Sequence, residues 1–284
     1  MAKIYLESAN ELPIYDECDI LVVGGGSAGH SAALAAARAG CEKVILMERF
    51  GYFGGDVTGG YVLMIPALNW RSYNIVRGIQ EEWFARLDKN APDSYICPER
   101  EEVGENDPFK LQRWSLIHGC VSPEQGNPHL IRAPYYEPNH LKLEMDAMIQ
   151  EQPNIKTLLH CWGTKPIMDG NTIKGVIFES KEGRKAVLAK VVIDATGDGD
   201  IYRQSGCPWV AGSLRTEDVR ENRTSMTALV WRMGGVDYEA YSRWFHSNPA
   251  EAAAFRENLN KIAGYRTNFY PAGSNEVVWW NNWL

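Results

Sequence analysis

Six residues near the start of the chain, Gly24-Gly25-Gly26-Ser27-Ala28-Gly29, have the spacing G-x-G-x-x-G. That spacing suits anion binding. Gly24 permits a tight turn, Gly26 lets the backbone approach a pyrophosphate, and Gly29 allows a helix to pack closely on a strand. Unpaired N–H groups at a helix start, at the positive end of its dipole, then hold the anion. Glu48 lies 19 residues after Gly29, at the position where a carboxylate accepts hydrogen bonds from a ribose diol. Together these residues point to a bound dinucleotide.

The elements that must position them are visible on either side. Residues 19–23, DILVV, form an apolar β-branched run that ends on the glycines and reads as a buried parallel strand. Residues 27–39, SAGHSAALAAARA, are Ala-rich and free of proline, which predicts a helix ended by Gly40 at C′. Ala33 and Ala37 keep one face of that helix small where it crosses the sheet. KVILME (43–48) repeats the buried-strand pattern. Strand, turn, helix and strand make a βαβ unit with a right-handed crossover. Further along, HLKLEMDAMIQE predicts a helix with Leu141, Met145 and Met148 on one face, followed by a strand TLLHCW ending at Trp162. IKGVIFES–KEGR–KAVLA predicts a β-hairpin after a turn at MDGNT, and KVVIDA a buried strand returning to the sheet. Residues 225–233 read as strand and 238–263 as helix.

The stretch from Pro92 to Pro138 differs. It holds seven of the 14 prolines and no sustained period, so it predicts a loop-rich excursion outside the sheet core. It carries His118, His129, Arg132, Tyr135, Tyr136 and His140, each more simply explained by packing than by catalysis. The catalytic residues therefore stay unassigned. The expected organisation is an α/β chain with a Rossmann-like domain: a parallel sheet, helices on both faces and a β-hairpin or meander insert. Its first part is 1–90, the excursion 91–136, its second part 137–210, and 211–284 a partial substrate or cap segment.

Two further motifs carry a family resemblance. Glu48 is followed by Arg49 and then Gly54-Gly55, and VVIDATGDGD spans 191–200. With GGGSAG and the upstream YYEPNHLK, these resemble the FAD-dependent oxidoreductases of the glutathione-reductase-type flavoprotein superfamily. The likeness runs from about residue 17 to about 245, in the branch related to heterodisulfide reductase flavin subunits. The resemblance implies that Gly24, Gly26, Ser27, Ala28 and Gly29 hold the FAD pyrophosphate and Glu48 the adenosine ribose. It puts Arg49 near the adenosine or pyrophosphate, and the backbone around Trp162 at the adenine. Gly54, Gly55, Asp56 and Thr58 fall beside the ribityl chain and ring system, while Thr196, Gly197 and Asp198 complete the pocket. Asp198 and Asp200 also suit plain turn roles, and His30 a packing or capping one.

Departures from the pattern narrow the chemistry. Residues 56–60, DVTGG, hold no cysteine where disulfide reductases carry a redox pair, so dithiol relay is not expected. None of the six histidines falls between 31 and 117, which leads to the expectation of non-covalent FAD. Family members continue well beyond 284 residues. The aromatic-rich end, EVVWWNNWL, therefore predicts a companion polypeptide docked on 270–284 and a hetero-oligomer completing the flavin site.

Composition bounds the rest. With 29 Lys+Arg against 36 Asp+Glu the net charge is −7, which disfavours nucleic acid as a partner. Six scattered cysteines with no C-x-x-C pair fit reduced thiols in the cytoplasm and no zinc site. No apolar run has the length of a membrane span, and no secretory signal is expected. The leading expectation is hydride transfer between a small organic substrate and FAD. An FAD-carrying electron-transfer subunit and a NAD(P)-dependent dehydrogenase are the alternatives.

Overall fold

The computed structural model describes residues 3, 5, 7, 11–65, 68–70, 73–90, 95–116, 119–122, 126–209, 228–264, 267–271 and 277–283. β1 (Ile14–Val23) runs into the glycine turn, then α1 (Ser27–Arg38) and β2 (Val44–Met47). β3 (Asn69–Trp70) and β4 (Tyr73–Asn74) pair as a short ribbon, followed by α2 (Ile79–Asn90), β5 (Tyr95–Ile96) and α3 (Pro108–Ser115). Next come β6 (Tyr135–Tyr136), α4 (Pro138–Gln150), β7 (Ile155–Leu158), β8 (Trp162–Asp169), β9 (Thr172–Ser180) and β10 (Gly183–Asp194). The last described elements are β11 (Ala228–Gly234), α5 (Tyr238–Ser247), α6 (Pro249–Ala263), β12 (Thr267–Pro271) and β13 (Val277–Trp283).

The chain divides into two compact units, Met1–Phe53 with Met148–Trp209 and Gly54–Ala147 with Val210–Leu284. Residues 54–90 thus group with the second unit, whereas the sequence reading carries the first domain to residue 90.

The first unit is a six-stranded sheet in the order β7-β2-β1-β10-β9-β8. β7, β2, β1 and β10 run parallel, and β10, β9 and β8 form the antiparallel meander. All four residues of β2 are buried, as a strand covered on both faces requires. One alternation, Leu21, Val23, Ile45, Met47, Leu158 and Val187, packs with Val176 and Phe178 of β9. Gly163 of β8 explains how the meander reaches that face. A Cβ there would lie 2.5 Å from Cγ1 of Val23 and 3.5 Å from Sδ of Met47, so only glycine permits the approach. α1 packs on the sheet through Ala33, Leu34 and Ala37, all buried, and Gly40 stands past its end at φ +93°.

Two strand expectations are corrected here. TLLHCW is not one strand: β7 ends at Leu158, His160 turns at φ +54°, and Trp162 opens β8. The 12-residue β10 makes both the hairpin and the return, and its last segment is only half-buried, with Val191 exposed.

The second unit is built from shorter pieces. β13 is the central strand of an antiparallel sheet, β11-β13-β12, so the backbone of 278–282 is paired on both edges. Its core gathers Trp114, Cys120, Leu130, Ala133 and Tyr135, with Met64, Ile96 and Tyr270 packed against them. The Pro92–Pro138 stretch is not all loop. It contains β5, β6 and the helix α3, whose Asp107 accepts from Phe109 N at 2.8 Å as its N-cap, with Pro108 in the first turn. The helix expected over 238–263 is two, broken at Asn248-Pro249. Arg232 of β11 binds Glu137, before α4, with both fork nitrogens, at 3.1 and 2.5 Å.

Candidate functional site

β1 delivers the glycine turn to the carboxyl edge of the parallel sheet, where Gly24 N donates to Met47 O at 2.8 Å. Gly24 adopts φ +98°, and a Cβ there would collide with the Ala195 carbonyl, so the turn admits no other residue. Gly29 sits against the Gly24 carbonyl with no room for a side chain. Gly26 is the opposite case, because a Cβ built on it meets nothing within 4 Å. Gly26 caps α1 without a side-chain hydrogen bond, and no acidic residue stands in the first turn. The chain thus opens space, N–H groups and the positive helix end at one spot, and the first turn of α1 carries no acidic side chain of its own.

Glu48, just past β2, is buried beside that turn. Its Oε2 accepts from Gly25 N at 2.6 Å and its Oε1 from Phe50 N at 2.8 Å. The carboxylate therefore fastens the loop after β2 to the glycine turn, and each oxygen retains lone-pair capacity. Outward from it lie exposed flat groups. Arg49 stands over the Phe50 ring at 4.8 Å and the Trp162 ring at 5.6 Å, and Phe50 stacks on Tyr52 with centroids 5.4 Å apart. Loop 48–50 is held to the β7–β8 turn by His160 N to Phe50 O and Cys161 N to Glu48 O, at 3.2 and 3.0 Å.

Asp194, at the end of β10, organises the other side, and the sequence reading had assigned it no part. Its Oδ1 accepts from the amide and hydroxyl of Thr196, at 3.0 and 2.8 Å. Its Oδ2 accepts from Ile201 N and Tyr202 N, at 3.0 and 2.9 Å. Thr196 Oγ1 in turn accepts from Asp200 N at 3.0 Å. The signal was an acid ending a buried strand directly before a glycine-rich turn, the same signal that marks Glu48.

A family model described as FAD dependent oxidoreductase matches residues 19–280. The chain belongs to that family. Urocanate reductase from Eggerthella lenta is 28% identical over 163 residues, covering 52% of this chain and 25% of that protein. The 3-oxo-5-alpha-steroid 4-dehydrogenase of Comamonas testosteroni is 24% identical over 268 residues, covering 79% of this chain and 50% of that protein. A solved structure of a geranylgeranyl bacteriochlorophyll reductase-like protein from Thermoplasma acidophilum superposes with a TM-score of 0.52 at 18% identity. It covers 94% of this chain and 56% of that one, and shows a shared fold. The chain spans half or less of the length of the two curated relatives.

The cofactor of this FAD dependent oxidoreductase is FAD, and the first unit fits it: an open cradle at Gly26, a first helical turn without acidic residues, and a carboxylate beside both. The structure brings Gly24, Gly26, Ser27, Ala28, Gly29, Glu48, Arg49, Trp162, Thr196, Gly197 and Asp198 together within this unit. Asp198 is exposed. His30 is fully buried, its ring 6.0 Å from that of Phe53, which is a packing role. In the second unit, Gly54, Gly55, Asp56 and Thr58 form a tight turn. Gly54 is left-handed at φ +108°, Asp56 is exposed, and Thr58 is fully buried with its hydroxyl 3.4 Å from the Gly55 carbonyl.

Of the residues singled out in the excursion, Tyr135 and Tyr136 are core, and Tyr136 donates to Val62 O at 2.7 Å. His129 is buried and His140 exposed, whereas His118 lies outside the described residues. Burial pushes the thiols of Cys97, Cys120 and Cys161 above their ordinary range, and that of Cys18 up to about 11, so these stay protonated at neutral pH. Among the described residues no cluster suits a metal ion, and no helix is long and apolar enough to cross a membrane.

Proposed function

We propose that the chain is the FAD-binding portion of an oxidoreductase that moves a hydride between a small organic substrate and FAD. The observation that carries this reading is the open cradle at Gly26, before a first helical turn without acidic residues, in a chain of this family. Bound FAD supplies a centre that accepts or returns a hydride. The protein's part is to bind and orient it. Gly26, Ser27, Ala28 and Gly29 present N–H groups to the pyrophosphate, and Gly24, whose own N–H is held by Met47 O, makes the tight turn that aims them. Glu48 keeps lone pairs for the adenosine ribose while holding Gly25 and Phe50 in place. Arg49 and Trp162 offer a flat, cationic edge to the adenine end, and the loop Thr196-Gly197-Asp198, held by Asp194, closes the opposite side. The family resemblance assigns Gly54, Gly55, Asp56 and Thr58 to the ribityl chain and ring system, and Thr58 locks their turn.

The same reading makes the FAD non-covalent, supported by the absence of histidine from 31 to 117. It includes the glutathione-reductase-type branch, supported by the GGGSAG and ATGDGD segments. Further polypeptide, such as a companion subunit, completes the substrate side, supported by the half or smaller share of the relatives' length that this chain spans. The same reading puts the protein in the cytoplasm, supported by its six free cysteines.

The test uses the full chain reconstituted with FAD. The protein should turn yellow, and acid precipitation should release all of the colour. Anaerobic screening across amines, alcohols, 2-hydroxy acids and steroid-like ketones should find a compound that bleaches it. Flavin retained on the denatured chain would contradict the non-covalent assignment. A nicotinamide bound in preference to FAD would overturn the reading.

A further inference from the structure

In the second unit, α2, β5 and the segment before β6 enclose a cleft of about 290 Å³. Phe84, Ile96 and Pro98 give it an apolar wall, and Arg132 and Tyr95 give it a polar end. Arg132 Nη2 donates to the Tyr95 hydroxyl at 3.1 Å, while its Nε is buried with no hydrogen-bond partner. Two acids line the same cleft. Glu81 pairs with Arg100 at 3.8 Å through an Oε1 that is buried and makes no hydrogen bond, and Glu99 opens the short turn Arg100–Glu102, its N–H donating to the Glu102 carboxylate at 3.0 Å. Among the described residues no carboxylate lies within ion-pair distance of Arg132. Its polar neighbours are uncharged at neutral pH, because burial pushes both the Tyr95 phenol and the Cys97 thiol above their ordinary values. A half-buried guanidinium is costly without a compensating anion, and its planar fork matches a carboxylate with two parallel hydrogen bonds.

We propose that this cleft binds a small monocarboxylate with an aromatic or branched apolar body. The carboxylate sits on Arg132 and the Tyr95 hydroxyl, and the body lies against Phe84 and Ile96. A cleft of this size suits a single-ring acid. The site belongs to the second unit alone and stands independently of the flavin reading.

Titration calorimetry of the full chain with benzoate, and with benzamide as the uncharged isostere, tests it. Benzoate should bind, and benzamide should bind at least tenfold more weakly, because it lacks the charge that strengthens hydrogen bonds to Arg132. Arg132→Gln should weaken benzoate by a similar factor. Ala85→Trp places a ring at the cleft from an exposed position on α2 and should block benzoate while leaving the circular dichroism spectrum unchanged. That variant decides the matter should Arg132→Gln fail to fold. No heat at millimolar benzoate, equal binding of benzamide, or benzoate affinity untouched by Ala85→Trp would each overturn the proposal.

Discussion

At the ends of β2 and β10, the first unit uses Glu48 and Asp194 to gather the backbone N–H groups of the loops that follow. In the second unit the carboxylate that follows β6, Glu137, takes one following N–H, that of Asn139 at 3.3 Å, and otherwise binds the Arg232 side chain. The unit's two-residue strands are held by rings, with Phe84 5.9 Å from Tyr95 and 5.6 Å from Tyr136. The comparison shows two ways to make a site. In the first unit, backbone geometry is the site, so its shape is set by turns and by the acids that freeze them. In the second, side chains are the site, and the cleft is what packing leaves around one guanidinium.

Substitutions at single points should separate the two designs. The largest effect is expected at Gly29, where any side chain strikes the Gly24 carbonyl. Gly29→Val should cost about 3 kcal/mol or more in unfolding free energy and abolish FAD retention, since neither neighbour is a flexible side-chain end. Denaturant melts with flavin absorbance check both. Phe84→Ala, which empties a fully buried ring position, should cost about 3–5 kcal/mol of the second unit's stability. Hydrogen exchange should then show opening confined to 54–147 and 210–284, and protection lost equally from the β1–α1 turn would erase the contrast. Asp194→Asn leaves one acceptor oxygen for four donors and should cost about 2 kcal/mol, with faster amide exchange at Ile201 and Tyr202.

The smallest effect belongs to a surface device. Asp16 pairs with Lys43 at 2.5 Å and Lys156 at 2.7 Å, tying β1 to β7 and to the residue before β2, and those lysines hold its carboxyl well below the ordinary carboxylate range. Its folded-state value is lower than its unfolded one. The contribution is therefore present above the ordinary carboxylate range and is lost as pH falls through and below it. Asp16→Asn should cost about 1 kcal/mol or less near neutral pH and leave stability in acid unchanged relative to the parent.

The first unit was legible because its instructions are local. DILVV and VILM are apolar runs too short for helices, the Ala-rich segment between them has no breaker, and glycine follows both DILVV and the Ala-rich segment. The hairpin around KEGR was legible for the same reason, and its strands pair from Ser180 opposite Gly183. Trp162 was misplaced because His160, a non-glycine residue at positive φ, leaves no turn signal in the sequence. The helix α3 was hidden by proline density, although Asp107-Pro108 is a helix start and not a break. Asp194 was passed over because its role lies in hydrogen bonds to residues up to eight positions later, which spacing alone does not display. The Arg132 cleft depends on contacts across 37 residues and has no local signature at all.

Gly26 tests the central claim most directly, because there the needs of the fold and of a ligand separate. A side chain at this position meets no protein atom within 4 Å, and its φ of −64° suits any residue. Gly26→Val should therefore keep the folded unit within about 1 kcal/mol of the parent, the usual cost of a poorer helix cap. The same Cβ stands where the pyrophosphate must approach the backbone. FAD titration followed by flavin fluorescence should show affinity for Gly26→Val reduced by about a hundredfold or more, since close backbone approach is lost together with its charge-assisted hydrogen bonds. Undiminished FAD affinity in a folded Gly26→Val protein would contradict the account.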